Sequence, residues 1–268
     1  MSDKNVFKES MELFTTLTEN NYEERFVAFV DILGSSRLFK TSGELKELAP
    51  LFSSLQLIKN GAERTEKLTL TRFSDSIFVV AQKECFLDLI DFLSCCSVNL
   101  LTLSSQRIVN SNTETKANEY MNCQLLRGGV CYGRVFSLKK YLKEHNRDAH
   151  DFDDLVIGPA VPKAYELESK SAKYPRIIFD ENTIKVAITS EKWNELINEK
   201  ILVKDCDGIM YLDCIEFLRR RRDADIFQED ISNKCINWAR EKADLYKDNE
   251  MIYEKYDWLI HYLNNKIR

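Results

Sequence analysis

Two short apolar runs near the start of the chain are each interrupted by one aspartate. Residues 26–34 read FVAFVDILG around Asp31, and residues 73–80 read FSDSIFVV around Asp75. Their shortness and their content of Val, Ile and Phe predict two buried β-strands. A carboxylate inside such a strand is costly unless a positive charge neutralises it. The pair therefore predicts one shared cation and indicates a metal-dependent enzyme that acts on a phosphate compound.

The rest of the pattern predicts further strands and helices. A strand at 26–33 turns at Gly34 into a helix, and two strands within 67–82 meet at a tight turn near Ser74. The other predicted elements are helices at 43–59, 86–103, 159–169 and 190–199, a loop at 106–122, strands at 124–135 and 176–179, and a hairpin of 201–204 with 208–213. This order is typical of a ferredoxin-like α+β core with insertions.

Three segments are assigned outside this core. Residues 1–24 predict an N-terminal helical segment, and the heavily charged residues 138–154 predict a protruding arm. An arginine run at 219–222 marks a break, which gives domains at 1–24 and 25–218 and a C-terminal helical extension at 219–268. The extension is predicted to form two helices, one with Ile231, Cys235 and Trp238 on its apolar face and one with Ile252, Tyr256, Leu259 and Leu263.

Composition and charge favour an ordinary globular protein of the cytoplasm. The 268 residues are 44% hydrophobic and 30% charged, and the net charge of −5 argues against generic nucleic-acid binding. No apolar stretch approaches the roughly 18 residues that span a membrane, and residues 1–10 lack the apolar region of a signal peptide. The eight cysteines form no C-x-x-C pair and are expected to be reduced. We therefore expect no nucleic-acid partner and no membrane partner.

Four motifs resemble, in order, those of class III nucleotide cyclases. FVAFVDILGSS resembles the first metal-binding strand of that family, and RFSDSIFVV resembles its second metal-binding hairpin. LRGGVCYGRV has the Arg-x-Gly-x-x-x-Gly form of the next strand, and VIGPAVPKAYELES resembles the helix after the dimerisation arm. Together the motifs cover about residues 25–215. The resemblance implies a class III-like cyclase domain at 25–218 with an inserted dimerisation arm and a helical C-terminal extension.

The residues that read a purine in this family are missing here. Residues 71–74 lack the usual Lys or Glu, the second purine-reading position falls near Leu155, and the usual Asn and Arg align with Pro162 and Glu166. The pattern is similar to the pyrimidine nucleotide cyclases of bacterial antiphage (Pycsar) systems. That family implies cyclisation of UTP, or CTP, to cyclic UMP or cyclic CMP, which activates a separate effector in antiviral defence. The alternatives are a purine cyclase with an atypical base pocket and a catalytically inactive nucleotide-sensing module.

The resemblance also implies a mechanism. The ribose 3′-oxygen attacks the α-phosphate and pyrophosphate leaves, with two Mn²⁺ or Mg²⁺ ions roughly 3.5–4 Å apart. Hard cations prefer carboxylate and carbonyl oxygens, so the implied metal ligands are Asp31, Asp75 and the carbonyl of Ile32. Ser35 and Ser36 lie at a helix start, where free N–H groups bind phosphate. Without a cation, Asp31 would be a helix-capping or turn residue and Asp75 a hairpin-turn residue.

Further substrate contacts are expected at positions that the family uses for the base and the triphosphate. Those positions carry Thr71, Arg72, Leu155, Lys163, Tyr165 and Lys204. Arg127 either joins them or pairs with an acidic neighbour. The family shares each site between two chains, one bringing the aspartates and the other the later helix, which implies a homodimer. Because the usual Asn and Arg are missing, another basic residue must stabilise the charge of the transition state.

Overall fold

The computed structural model describes residues 18–35, 56, 67–110, 125–144, 155–188, 200–222 and 228–267. They form one mixed β-sheet with helices on both faces, which confirms the predicted α+β class. The strands are β1 (Glu23–Leu33), β2 (Leu68–Phe73), β3 (Ser76–Ala81), β4 (Leu125–Ser137), β5 (Val156–Ile157), β6 (Ile177–Phe179), β7 (Leu202–Lys204) and β8 (Met210–Leu212). Their order is β2-β3-β1-β4-β6-β8-β7, and β5 pairs with the end of β4.

The described helices follow the strands and cover both faces of the sheet. They are α1 (Phe86–Asn110), α2 (Leu138–Glu144), α3 (Ala160–Glu166), α4 (Glu181–Ile188), α5 (Cys214–Arg222), α6 (Glu229–Leu245) and α7 (Glu250–Asn264). A π-helical turn, Leu167–Ser171, continues α3 directly. The predicted strands at 26–33 and 124–135 and the hairpin in 201–213 are confirmed as β1, β4 and the β7–β8 pair.

Three stretches differ from the prediction. Residues 106–110, expected in a loop, continue α1. Residues 138–144, expected in a protruding arm, form α2 because Leu138, Tyr141 and Leu142 are buried in a small core of their own. Helix α4 was not predicted at all. Other expectations lie outside the described residues, at 1–17, 36–55, 57–66, 111–124, 145–154 and 189–199.

Successive side chains of β1 point to opposite faces of the sheet. The even-numbered positions from Phe26 to Ile32 belong to the larger hydrophobic core, which also contains buried residues of α1, α6 and α7. Val27 and Phe29 belong to a smaller core on the other face, beneath α3. Asp31 is the next position of this second row. Its neighbours in sequence can therefore be buried while its own carboxylate faces the α3 side.

Helix α1 is apolar over most of its length. By length and composition the segment Lys83–Thr102 could cross a membrane, with a mean hydropathy of 1.6. This corrects the expectation that no stretch approaches membrane-spanning length. In the fold, 61% of its most apolar window is buried. Leu89, Ile90 and Leu93 lie on one helical face and belong to the core beneath the sheet.

Helices α6 and α7 share the larger core with the sheet. Trp238, Tyr256 and Leu259 are buried in the same cluster as Phe26 of β1, which confirms the predicted apolar faces. The arginine run at 219–222, predicted to mark a break, lies inside α5. The division into domains stays a prediction, but no change of core accompanies it among the described residues.

Arg176 joins the sheet to the C-terminal helices. Its side chain has no exposed surface and forms ion pairs with Asp205 and Asp207 of the β7–β8 turn. The guanidinium lies 5.0 Å from the ring of Tyr174 and 6.0 Å from that of Trp258 on α7. Trp258 Nε1 in turn donates a hydrogen bond of 2.8 Å to Asp205. One buried cation therefore holds a turn, a loop and a helix together.

Asp213 makes a second connection to α7. It is fully buried, and its carboxylate accepts a hydrogen bond of 2.8 Å from the hydroxyl of Tyr262 and an ion pair from Lys266. It also caps α5 by accepting from the backbone N–H of Glu216 at 3.1 Å. The two connections fix the position of α7 against the end of the sheet.

We expect Arg176→Met to lower the free energy of unfolding by about 1–3 kcal/mol, because it removes a buried cation and leaves two partly exposed carboxylates without their partner. Urea unfolding followed by circular dichroism measures the change. The matched control is Lys170→Met, which removes an exposed lysine that pairs with Glu166 one turn away and should cost at most about 1 kcal/mol. Equal effects of the two substitutions would contradict the anchoring role of Arg176.

Candidate active site

Asp31 lies in a row of residues that crosses three strands. Its partner on β3 is Ser76 and its partner on β4 is Arg127. Ser76 Oγ donates a hydrogen bond to Asp31 Oδ1 at 3.1 Å, and Arg127 Nη2 lies 3.4 Å from Oδ2. The Asp31 side chain keeps 16% of its surface exposed. Strand pairing therefore holds this carboxylate in place while leaving it open to a ligand.

The turn after β1 brings Asp75 and the carbonyl of Ile32 to the same hydroxyl group. Gly34 has a φ of 90°, a left-handed conformation that favours glycine. The buried Ser35 that follows donates a hydrogen bond of 2.8 Å to the Ile32 carbonyl oxygen and also contacts Asp75 Oδ2. Asp31 immediately precedes Ile32 on β1. The three oxygen-bearing groups expected to bind metal thus lie together at one end of this strand.

The electrostatic state of Asp31 reflects its burial. Burial is the largest influence and raises the pKa of Asp31 above its ordinary value. Arg127 opposes this rise, Asp75 adds to it, and the hydrogen bond from Ser76 opposes it. The net upward direction means that one arginine does not fully compensate for the buried charge. A bound cation would supply the missing compensation.

Arg127 is shared between two carboxylates. Besides Asp31 it approaches Glu168, with Nε and Oε1 only 2.5 Å apart in an ion pair that lacks the alignment of a hydrogen bond. Glu168 is 2% exposed and lies in the π-helical turn after α3. Of the two roles expected for Arg127, pairing with acidic neighbours is the one observed.

Glu168 is a site residue that the sequence prediction missed. Burial raises the pKa of Glu168 to about 7, with Arg127 opposing the rise and Asp31 and Asp75 adding to it. The available signal was the acidic end of VIGPAVPKAYELES, but the pairing with Arg127 joins positions far apart in the chain and leaves no local pattern.

A glycine lets the π-helical turn approach the sheet. A Cβ added to Gly129 would lie 2.5 Å from Leu167 Cβ, 2.8 Å from the Glu168 nitrogen and 2.9 Å from the Ala164 oxygen. Because two of these neighbours are backbone atoms, they cannot move aside cheaply. Gly129 of the Arg-x-Gly-x-x-x-Gly motif is thus required for the contact between Glu168 and Arg127.

The donor set suits a hard divalent cation. Asp31, Asp75 and the Ile32 carbonyl offer only oxygen ligands, which Mg²⁺ and Mn²⁺ prefer. Within the described residues, no group of three His, Cys, Asp or Glu side chains could hold a metal ion. A cation here would therefore need further ligands from water or from substrate phosphates, as is usual for Mg²⁺ sites.

Thr71 and Tyr165 lie on the same face of the sheet as Asp31. Thr71 pairs with Phe78 of β3, which pairs with Phe29 of β1, two positions before Asp31. The rings of Phe29 and Phe78 are 4.5 Å apart, and Tyr165 meets Phe29 edge-on at 5.2 Å. The ring of Tyr165 is half exposed. These two predicted base contacts therefore flank an aromatic pair beside the aspartate.

Lys163 is not brought to the aspartates, and the side chains of two other predicted contacts lie outside the described residues. Lys163 forms an ion pair with Asp180 at the end of β6. Arg72 pairs with Ile77 across β2 and β3, but its side chain lies outside the described residues, as does the whole of Ser36. Their expected roles in substrate binding stay predictions.

Leu155 and Lys204 are distant from Asp31 within one chain. Leu155 precedes β5, which pairs with Phe136, nine positions along β4 from Arg127 and hence about 30 Å from it. Lys204 lies on β7, four strands away from β1, or about 19 Å across the sheet. Either residue could act at this site only from a second copy of the chain.

No family model matches the chain, and no curated protein matches it. Similar solved structures include adenylyl and guanylyl cyclase domains. One, a bacterial light-regulated adenylyl cyclase, has 16% identity and a TM-score of 0.48, with 75% of this chain and 98% of that chain covered. In another structure of such an enzyme the match has 16% identity and a TM-score of 0.47, and covers 68% of this chain but only 55% of that one.

The guanylyl cyclase domain of the RhoGC fusion protein from the fungus Blastocladiella emersonii is 15% identical, with a TM-score of 0.47 over 72% of this chain and 95% of that chain. The adenylyl cyclase CyaB from P. aeruginosa is 16% identical, with a TM-score of 0.44 over 71% of this chain and 93% of that chain.

We expect Gly129→Ala to lower the free energy of unfolding by about 1–3 kcal/mol through overpacking against the π-helical turn. Thermal unfolding of the purified variant measures this loss. The matched control on the same strand is Gly133→Ala, whose added Cβ would lie 3.3 Å from the Cβ of Ala160 and should change stability by less than about 1 kcal/mol. A neutral Gly129→Ala would mean that the turn is not held closely against β4.

Proposed function

We propose that this protein is a homodimeric pyrimidine nucleotide cyclase that converts UTP, or CTP, to the 3′,5′-cyclic monophosphate and pyrophosphate. The observation that carries the proposal is the grouping of oxygen ligands at one end of β1. The hydroxyl of Ser35 connects Asp75 to the Ile32 carbonyl, and Asp31, the residue before Ile32, interacts electrostatically with Asp75. Two carboxylates and a carbonyl in an otherwise buried setting form a site for divalent cations that carry a polyphosphate. The proposal makes two claims: the reaction is nucleotide cyclisation, and the base of the nucleotide is a pyrimidine.

In this reaction the chain holds and orients the reacting groups. Asp31, Asp75 and the Ile32 carbonyl would hold Mn²⁺ or Mg²⁺, which when bound favours the ionised 3′-oxygen and neutralises phosphate charge. Ser76 and Arg127 keep the Asp31 carboxylate oriented through their hydrogen bond and ion pair. A bond forms between the ribose 3′-oxygen and the α-phosphorus, the bond to the pyrophosphate oxygen breaks, and one proton is released.

The aromatic pair next to Asp31 supports a site for a nucleobase. Phe29 and Phe78 lie side by side with Tyr165 at their edge, and Thr71 adjoins them in the strand register. An exposed tyrosine ring can stack on a flat base, and its hydroxyl can bind the edge of the base. A small hydroxyl at position 71, in place of the Lys or Glu of purine cyclases, favours a pyrimidine.

The distances within one chain favour a shared site. Leu155 and Lys204, expected at the base and the triphosphate, lie about 30 Å and 19 Å from the Asp31 row in the same chain. A two-fold dimer would bring these residues of one copy to the aspartates of the other. The cyclic nucleotide would then diffuse in the cytoplasm to a separate effector that it activates in antiviral defence.

We expect the purified protein with Mn²⁺ to form a cyclic pyrimidine nucleotide from UTP or CTP and little product from ATP or GTP. Mass spectrometry of separate reactions with the four nucleotides identifies the product. A cyclic purine would retain the cyclase mechanism and overturn the assignment of the base. The absence of product from every nucleotide, with intact nucleotide binding, would favour an inactive sensing module.

We expect Asp31→Asn and Asp75→Asn each to lower turnover by about a thousandfold or more, because each removes a charged cation ligand. Circular dichroism and size-exclusion chromatography check that the fold and the oligomeric state persist. The matched control is Asp230→Asn, which changes an aspartate that is 88% exposed on α6 and should retain wild-type turnover. Full activity in Asp75→Asn would refute the proposed cation site.

We expect Asp31→Asn and Lys204→Ala to complement each other when the two inactive variants are mixed and allowed to exchange subunits. Each mixed dimer would have one intact site, so turnover should recover to about one quarter of the wild-type value. Measured turnover of the mixture against each variant alone tests this. If Lys204→Ala alone is inactive and the mixture recovers nothing, the site is not shared in the proposed way.

A further inference from the structure

Lys255 of α7 places a positive charge beside the candidate active site. The side chain is half buried, and its ammonium group interacts electrostatically with Asp31, Glu168 and Arg127. These interactions act at a distance, with no hydrogen bond from Lys255 to any of the three. Nothing in the sequence pattern indicated that the C-terminal extension reaches this site.

The path of α7 explains how Lys255 comes to lie there. Leu259, one helical turn after Lys255, lines a small internal cavity together with Leu125 and Leu126 at the start of β4. Leu126 pairs with Ile32 on β1, directly beside the row that contains Asp31. Trp258, three positions after Lys255, packs against the small cluster that contains Ile178 of β6, whose strand partner Gly129 lies on the Asp31 face of the sheet. Helix α7 therefore contacts both faces at this end of the sheet, and Lys255 lies one turn before Trp258 on the same side of the helix.

The position of Lys255 is fixed by strong contacts on the same helix. Trp258, three positions later, stacks on Tyr174 with ring centroids 5.7 Å apart and donates its hydrogen bond to Asp205. Tyr262 donates to the buried Asp213. A lysine on so firmly held a helix loses less freedom when it binds a ligand than a lysine on a loop does.

The charges around Lys255 favour an anionic ligand. Burial lowers the pKa of Lys255 and Arg127 lowers it further, whereas Asp31 and Glu168 raise it. A half-buried ammonium group that makes no direct contact with these carboxylates leaves its three donors available. When cations occupy the carboxylates, the nearest unsatisfied partners for such donors are the oxygens of a bound polyphosphate.

We propose that Lys255 binds the polyphosphate of the nucleotide and so supplies the positive charge missing at Pro162 and Glu166, where related cyclases carry Asn and Arg. This inference rests on the proposed function, because it takes the polyphosphate to be bound at the Asp31 and Asp75 site. It assigns the C-terminal extension a direct part in that site, within the same chain.

The test uses two binding measurements on the full chain. Mn²⁺ binding is measured alone by electron paramagnetic resonance, and inorganic triphosphate binding in the presence of Mn²⁺ is measured by calorimetry. We expect Lys255→Gln to weaken triphosphate binding by about tenfold to a hundredfold, while Mn²⁺ alone binds equally well or up to severalfold tighter because a nearby cation is gone. Lys255→Arg should stay within severalfold of the wild type.

The control is Lys234→Gln on α6, where the lysine pairs with Asp230 on the exposed helix surface and should affect neither measurement. If the wild type binds triphosphate and Lys255→Gln binds it equally well, the role of Lys255 is refuted while the proposed function stands. If the wild type binds neither Mn²⁺ nor triphosphate, both fail. A loss of Mn²⁺ binding together with unfolding in Lys255→Gln, reproduced in Lys255→Arg, would make Lys255 a structural residue only.

Discussion

The carboxylate of Asp31 inside a buried strand is the constraint on which the rest of the site depends. Strand pairing places Ser76 on one side and Arg127 on the other, so the same register that builds the sheet also orients the carboxylate. Arg127 is shared with Glu168, and Asp75 adds a further negative charge nearby. One guanidinium cannot neutralise this group of acids. The surplus of negative charge, in a place that still reaches solvent, is what a divalent cation would relieve.

The fold tolerates this buried carboxylate because the apolar side chains of β1 and the side chain of Asp31 lie on opposite faces of the strand. Alternation buries the even-numbered side chains of β1 in the larger core, which stabilises the sheet without involving Asp31. On the opposite face the π-helical turn approaches β4 closely at Gly129. The apolar face provides stability, and the face beneath α3 carries the candidate site. A change at Gly129 therefore acts on Glu168 through backbone geometry rather than through charge.

Local patterns in the sequence predicted the parts of the site that are close together in the chain. The strand around Asp31 and the hairpin around Asp75 are defined by apolar runs and turn residues, and both are confirmed. Glu168 and Lys255 were not predicted, because each acquires its role only through contacts with residues far away in sequence. The same limit explains residues 138–144: their charge indicated a protruding arm, but a few buried side chains decided the packing.

The C-terminal helices connect the stability of the fold to the electrostatics of the site. Arg176 and Asp213 are buried charges that bind α7 to the sheet, and α7 carries Lys255 to within electrostatic reach of Asp31. Buried ion pairs contribute little net stability compared with apolar packing, yet they tolerate very few alternative arrangements. In this fold the buried ion pairs therefore fix the position of α7 rather than add much stability. A helix held only by apolar contacts could slide by part of a turn at small cost, and Lys255 would then change its distance from the acidic groups that influence it.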